Sequence, residues 1–254
     1  MSREDPDVID SVDKAFKIMM AFSAEYPELT ISQASAMTGF TRATVRRVLL
    51  TFTRLGFAVQ EDRRFRLTSK VMRLGYGYLS ASPWWEYAEP HMRSLSNTTQ
   101  ESSSLATLDG DEIVYLARVP SPRSVALTLN IGSRLPAYPT SLGRVLLAAL
   151  PDAELNAYLA EAEFKPLTPH TITDPELLRE ALMQVRRDGF AVIDGEREEG
   201  VRSIAAPVRD RRGVTAALNI SVNAARMSAA DMRTQYAPLV REHADAISAS
   251  IRHQ

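Results

Sequence analysis

The chain has 254 residues, 45% apolar and 24% charged, with a formal net charge of −1; that bounds a globular protein with room for two domains. It has no cysteine, which excludes disulfides and thiolate metal sites and is compatible with a reducing cytoplasm. No apolar run reaches the length of a membrane span, and the acidic start Ser2-Arg3-Glu4-Asp5-Pro6-Asp7 is unlike a secretory signal, so a cytoplasmic protein without membrane contact is expected.

Residues 1–9 are expected to lack order. Val12, Ala15, Phe16, Met19 and Phe22 recur at helical spacing, which predicts a helix over about 10–25, capped by Asp10 or Ser11. Thr30-x-x-Gln33 is a capping box that starts a second helix at Ile31, and Gly39 can end it. Thr41 can cap a third helix from Arg42 to Leu55, stopped by Gly56. Along it Val45, Val48, Leu49 and Phe52 form one apolar stripe, while Ala43, Arg46, Arg47 and Leu50 fall on the far side. A strand at Phe57–Gln60, a turn at Glu61-Asp62-Arg63-Arg64 and a returning strand at Phe65–Leu67 follow.

That order is a winged helix-turn-helix, which reads DNA with one helix in the major groove. Residues 42–73 hold nine Lys/Arg (Arg42, Arg46, Arg47, Arg54, Arg63, Arg64, Arg66, Lys70, Arg73) against Glu61 and Asp62. That is a net +7, which leaves −8 for the rest of the chain. A near-neutral balance therefore hides a basic module joined to an acidic one, as phosphate contact requires. Thr41, Arg42, Ala43, Thr44, Arg46 and Arg47 are the candidate DNA-reading residues, with Arg63 and Arg64 at the wing tip. A solvated basic helix face is the competing reading.

Thr68 to Leu79 reads as a connecting helix, and Ser80-Ala81-Ser82-Pro83 as a boundary. Beyond it a helix is predicted over 84–98, then strands at Ser102–Leu108, Glu112–Val119 and Val125–Asn130. An irregular segment, 132–139, precedes a helix at Ser141–Ala149. Helices at 152–161 and 175–188, a strand at Phe190–Asp194, a hairpin of Ser203–Arg209 and Val214–Val222, and a long helix at Ser228–Arg252 complete the chain. Trp84-Trp85 could pack at an interface, with core burial the default. Helices flanking a largely antiparallel sheet predict an α+β ligand-sensing domain.

Several blocks of text resemble the IclR family of bacterial transcription regulators: Glu101 to Tyr115, Gly132 to Tyr138, Thr140-Ser141-Leu142-Gly143-Arg144 and Gly200 to Val208. The text at Thr41–Leu50, Arg64–Thr68, Leu74–Ser80 and Glu198–Ser203 is most similar to its members that control protocatechuate and related aromatic-acid catabolism through the β-ketoadipate pathway. The resemblance implies a winged-helix domain over 1–67, a linker helix over 68–82 and a GAF-like effector-binding domain over 83–254. It implies a homodimer paired through the DNA-binding domains, with tetramers formed by many members, on double-stranded DNA bearing a palindromic operator. A small organic acid, aromatic or dicarboxylic, is the implied effector, and RNA polymerase a further implied partner. Carried over position by position, the effector residues are Ala137, Tyr138, Ser141, Leu142 and Gly143 on the loop and helix start, with Asp194, Ser203, Ala205, Asn219 and Ser221 on the strands. Pro139 stands where many relatives have cysteine or alanine.

The residue chemistry agrees with that placement. Ser141, Leu142 and Gly143 open a helix whose free amides can receive a carboxylate. Asn219 and Ser221 are i, i+2 on a strand and share a face, as do Ser203 and Ala205. A packed core with satisfied hydroxyls is the alternative. Arg118, Arg134 and Arg202 can each bind a carboxylate or form an ion pair, the latter preferred for Arg118. Asp194, Glu196, Glu198 and Glu199 read as a solvated turn rather than a cation site. His91, His170, His243 and His253 are scattered, so no metal, cofactor or catalytic set is expected. An enzyme docked by a basic domain would need a G-x-S-x-G, a Walker sequence or a G-x-G-x-x-G, and the chain has none. An architectural DNA binder would not need the large α/β half.

Overall fold

A computed structural model describes residues 7–81, 84–121 and 129–252. They fall into two compact units that divide after residue 82. Residues 125–128 of the expected strand at Val125–Asn130, the first residues of the expected disordered stretch and the side chains of Trp84 and Trp85 lie outside the described residues; Leu129 and Asn130 are described and are not in a strand.

The first unit opens with α1 (Asp10–Met20), then β1 (Glu28–Thr30), α2 (Ile31–Thr38), α3 (Arg42–Leu55), β2 (Ala58–Glu61) and β3 (Arg64–Leu67). A 3₁₀ turn (Ser69–Val71) leads into α4 (Met72–Ala81). The capping box at Thr30 forms in both directions: Gln33 N donates to Thr30 Oγ1 at 3.2 Å and Thr30 N to Gln33 Oε1 at 3.0 Å. Gly39 (φ 73°) and Gly56 (φ 78°) close α2 and α3 in the left-handed region that glycine adopts without Cβ strain. Ile18, Leu29, Ala34, Val45, Leu49, Phe52, Ala58 and Phe65 make the core, so α3 is fixed by the apolar stripe seen in its sequence.

Four details differ from expectation. The first helix ends at Met20, and its N-cap is Ile9, with no side-chain bond. Val12 and Phe16, expected in its apolar contact face, are exposed, and Ile18 is the fully buried residue. A third strand, β1, pairs with β3 at Leu29↔Phe65, which a three-residue run flanked by Pro27 and a cap could not announce. Leu50, placed on the far side of α3, packs partly against the core.

The second unit runs α5 (Trp84–Thr99), β4 (Ser102–Asp109), β5 (Glu112–Val119), β6 (Arg134–Pro136), α6 (Ser141–Ala148), α7 (Asp152–Glu161), α8 (Pro175–Asp188), β7 (Ala191–Asp194), β8 (Val201–Arg209) and β9 (Val214–Asn223). A short α9 (Ala229–Asp231) passes through a π turn at Met232–Tyr236 into α10 (Ala237–Arg252). The π turn interrupts the long closing helix that its sequence pattern predicts. The six strands form one antiparallel sheet, ordered β6-β5-β4-β9-β8-β7. β6 lies in the segment read as irregular, because a three-residue edge strand has no period to detect.

Strand alternation splits the core in two. One face buries Ala106, Ile113, Tyr115, Ala191, Ala205 and Ala217 under Leu142, Val145 and Leu146 of α6, Leu155 of α7 and Leu178 of α8. The other buries Leu105, Ile204, Ala206, Leu218, Ile220 and Val222 under α5 and α10. The α6 face carries mostly small residues, so a helix approaches closely there and space remains beside it. Among the described residues no helix is long and apolar enough to cross a membrane.

Candidate nucleic-acid interface and ligand cavity

α3 presents its charge by default, since Val45, Leu49 and Phe52 hold one side in the core. Thr41 is the observed cap, its Oγ1 accepting from Thr44 N at 3.3 Å. Arg42, Ala43, Arg46 and Arg47 are exposed and Thr44 is half-buried. Arg63 and Arg64 are exposed on the wing, where Asp62 (φ 54°) makes the tight turn. Among the described residues, Arg42, Arg46, Arg47, Arg63 and Arg64 form no ion pair, whereas Arg66 is held by Glu61 at 3.2 Å. Unpaired guanidinium groups remain available for phosphates and base edges. Arg47 differs from Arg46 in lining a groove against Asp10, Ser11 and Lys14 of α1. Lys70 does more than add charge. Its Nζ donates to Leu55 O at 2.6 Å while Thr68 Oγ1 donates to Gly56 O at 2.6 Å. These bonds tie the segment after the wing to the C-terminal end of α3.

The second unit holds a cavity of about 280 Å³, between the sheet face under α6 and the loops at 139–142 and 197–201. Register builds its floor. Ser221 of β9 lies between Ser102 of β4 and Ser203 of β8, and Asn219 between Ser104 and Ala205. Five small polar side chains (Ser102, Ser104, Ser203, Asn219, Ser221) therefore share one patch that lines the cavity. Ser141 Oγ and Asn219 Oδ1 are buried with no hydrogen-bond partner among the described residues. Such atoms cost roughly 1–3 kcal/mol each unless a ligand or water satisfies them. Tyr115, Arg118, Pro139, Arg197 and Arg226 also line the cavity. Burial pushes the Tyr115 phenol up, against the pull of Arg197 and Arg118, so it stands as a neutral donor.

Of the ten candidate effector residues, Ser141, Leu142, Ser203, Asn219 and Ser221 line this cavity. Ala137 and Tyr138 are buried in the adjoining core, and the Tyr138 hydroxyl turns away to donate to Lys165 O at 2.6 Å. Ala205 is fully buried in the same core. Asp194 is exposed and accepts from Arg202 Nη2 at 2.7 Å. Gly143 has a packing role instead: a Cβ there would stand 2.0 Å from Ala137 O. Its amide is also engaged, donating to Thr140 Oγ1 at 2.9 Å, so it is not one of the free amides at the start of α6. Arg134 is an exposed clasp on Asp109 and Glu112. Arg118, read as structural, lines the cavity.

Glu196, expected in a solvated turn, is instead buried. Its Oε2 accepts from Arg144 Nη2 at 2.6 Å and from Ile172 N at 3.3 Å. Arg144 is 3% exposed, and its Nε donates to Tyr138 O. The pair thus joins the 138–142 loop to the 195–198 loop, which carries Arg197 and Glu198 into the cavity wall. Burial raises the Glu196 carboxyl against the opposing pull of Arg144. It likewise lowers Arg144 against Glu196. The signal in the sequence was Arg144 itself, the one charge in Ser-Leu-Gly-Arg-Val-Leu-Leu-Ala, a helix buried at every residue. Such a charge demands a partner. The fold also brings His91 and His243 together, ring centroids 5.9 Å apart. Among the described residues no group of three or more His, Asp or Glu could hold a metal ion.

A winged helix with free arginines, joined to a unit with a polar cavity, defines a DNA-binding regulator with a ligand-sensing domain. Family comparison agrees. The IclR helix-turn-helix domain matches residues 11–62, and the C-terminal domain of the bacterial transcriptional regulator IclR matches residues 76–249; the chain belongs to the IclR family of transcriptional regulators. It is 41% identical over 238 residues to the Pca regulon regulatory protein of Pseudomonas putida, covering 93% of this chain and 82% of that one. It is 32% identical over 245 residues to the p-hydroxybenzoate hydroxylase transcriptional activator of Acinetobacter baylyi, covering 94% and 90%. The fold superposes with a TM-score of 0.83 on an IclR homolog from Microbacterium hydrocarbonoxydans complexed with 4-hydroxybenzoate, at 24% identity and covering 96% and 100%.

Proposed function

We infer that this chain is a cytoplasmic regulator of aromatic-acid catabolism of the β-ketoadipate type, and that a small organic acid in the second unit governs its hold on operator DNA. The observation that carries the reading is the cavity. It is small for a ligand site and floored by five cross-strand polar residues, with the partnerless Ser141 Oγ and Asn219 Oδ1 in its wall. Ser141, Leu142, Ser203, Asn219 and Ser221 are assigned to effector contact, with Tyr115 and Arg118 added. Ala137, Tyr138, Gly143 and Ala205 shape the wall from behind. The names of the Pseudomonas and Acinetobacter relatives support the pathway.

On the DNA side, Thr41, Arg42, Ala43, Thr44 and Arg46 read the groove, with Arg47 at its flank and Arg63 and Arg64 on the backbone. The chain acts as a homodimer on a palindromic operator. Val12, Phe16 and Met20, at i, i+4 and i+8 on α1, are 48%, 52% and 71% exposed and supply an unpartnered apolar row for a second copy. No catalytic or cofactor role is assigned to any residue.

Thermal unfolding with protocatechuate, 4-hydroxybenzoate and β-ketoadipate tests the reading. An effector present at about 100 times its Kd stabilises by about 2.7 kcal/mol, or roughly 5–11 °C for a domain of this size. The same acid should change the protein's affinity for its operator. Folded protein that responds to none of a panel of aromatic and dicarboxylic acids refutes it.

A further inference from the structure

The cavity wall contains carboxylates of its own: Glu198, paired with Arg197 at 3.1 Å, and Glu101. Glu101, at the corner between α5 and β4, is 5% exposed, and its Oε1 lies 2.5 Å from Arg226 Nη2. Arg226 follows β9 and is 40% exposed, so the pair reaches from the buried wall to the solvent side. Both residues line the cavity.

The backbone holds each partner in place. Glu101 N donates to Thr99 Oγ1 and Glu101 O accepts from Ser96 Oγ at 2.7 Å. The preceding Gln100 sits at φ 59°, an uncommon conformation for a residue with a Cβ. The corner is thus bent and clamped so that a carboxylate enters the cavity. On the other side, Arg202 donates to the carbonyls of Ala224 and Met227, one on either side of Arg226. The backbone is therefore anchored beside both partners.

Two carboxylates cannot share one guanidinium at no cost, because each reduces its attraction for the other. We propose that Glu101 is a resident counter-ion of the cavity, which competes with the effector's carboxylate for Arg226 and so sets how tightly acids bind. This rests on the cavity being the acid site. Glu101 weakens binding of every acid that places a carboxylate at Arg226.

The test is calorimetric titration of full-length protein with the acid that gives the largest thermal shift. Parent, Glu101→Gln, Arg226→Gln and the double variant are compared, with thermal unfolding as the check on folding. Glu101→Gln keeps the shape and a hydrogen-bond acceptor but removes the charge, and should bind about tenfold or more tightly. Arg226→Gln should bind more weakly than the parent, and the double variant should fall between the two singles. Glu101→Gln binding equally or more weakly, in protein that melts like the parent, overturns the counter-ion role while leaving the acid site standing. No binding by the parent or by Glu101→Gln removes the acid site and this inference together. If Glu101→Gln does not fold, Glu101→Asp, which draws the carboxylate back by one methylene, must still tighten binding or the proposal falls.

Discussion

Replacing Arg144 by methionine should destabilise the second unit severely, and a second substitution at Glu196 should then restore most of the loss. Methionine keeps the apolar stem of Arg144 in the α6 core but removes the guanidinium. Glu196 is then left buried, with Ile172 N at 3.3 Å as its remaining hydrogen bond. Breaking a buried pair from one side costs about 3–5 kcal/mol, and the orphaned Tyr138 carbonyl adds about 1 kcal/mol. At roughly 2–4 °C per kcal/mol for a domain of this size, the melting temperature should fall by roughly 8–24 °C. Burial already holds the Glu196 carboxyl above its ordinary value despite Arg144, so losing Arg144 lifts it further. A carboxyl raised in the folded state favours folding at low pH. Its cost is absent below the unfolded value and grows as pH rises through the folded one. The Arg144→Met variant should therefore melt closer to its parent at pH 5 than at pH 7.5. Adding Glu196→Gln removes the charge and keeps an acceptor for Ile172 N, so the double variant should melt above the single one and lose its excess pH dependence. Calorimetry of the four proteins at both pH values decides. An Arg144→Met variant within 2 °C of its parent, or a double variant melting below it, refutes the buried-pair reasoning.

Arg46→Ala with Arg47→Ala should abolish operator binding at physiological salt without changing the melting temperature, because neither side chain is buried; footprinting and calorimetry read the two effects. Arg46→Ala alone should cost more than Arg47→Ala alone, since Arg47 faces the α1 groove. Gly143→Ala should destabilise the second unit by at least about 1–3 kcal/mol through overpacking and weaken acid binding. Its Cβ meets backbone atoms of Ala137, which cannot rotate away as a side chain would, so a variant unchanged in both respects counts against the loop geometry. Phe65→Ala, at the centre of the wing sheet, should cost about 3–5 kcal/mol and release the first unit to proteolysis before the second.

Local chemistry wrote the first unit almost completely into the sequence. Thr30, Gln33, Gly39, Thr41 and Gly56 are caps and stops whose partners lie within four residues, and the stripe on α3 repeats within one helix. The hydrogen bonds that decide those elements close over short chain distances, so the text suffices. Most strands of the second unit were legible for the same reason, because alternation is a local property. What failed were the elements with too few residues for a period: β1, β6 and the π turn.

The cavity depends on distances the sequence does not carry. Ser102, Ser203 and Ser221 are each unremarkable in their strands, and only the order β4-β9-β8 and its register place them side by side. Tyr138 and Ser141 are neighbours in one matched block, yet one turns to Lys165 and the other into the cavity. Glu196 looked like surface because its partner is 52 residues away, and Glu101 meets an arginine 125 residues on. By itself, then, the sequence determined most helices, the caps of α2 and α3, the basic reading face and the family. The tertiary structure alone decided which polar groups converge, which charges are buried together and where a ligand has room, since convergence is a property of packing between strands and helices far apart along the chain.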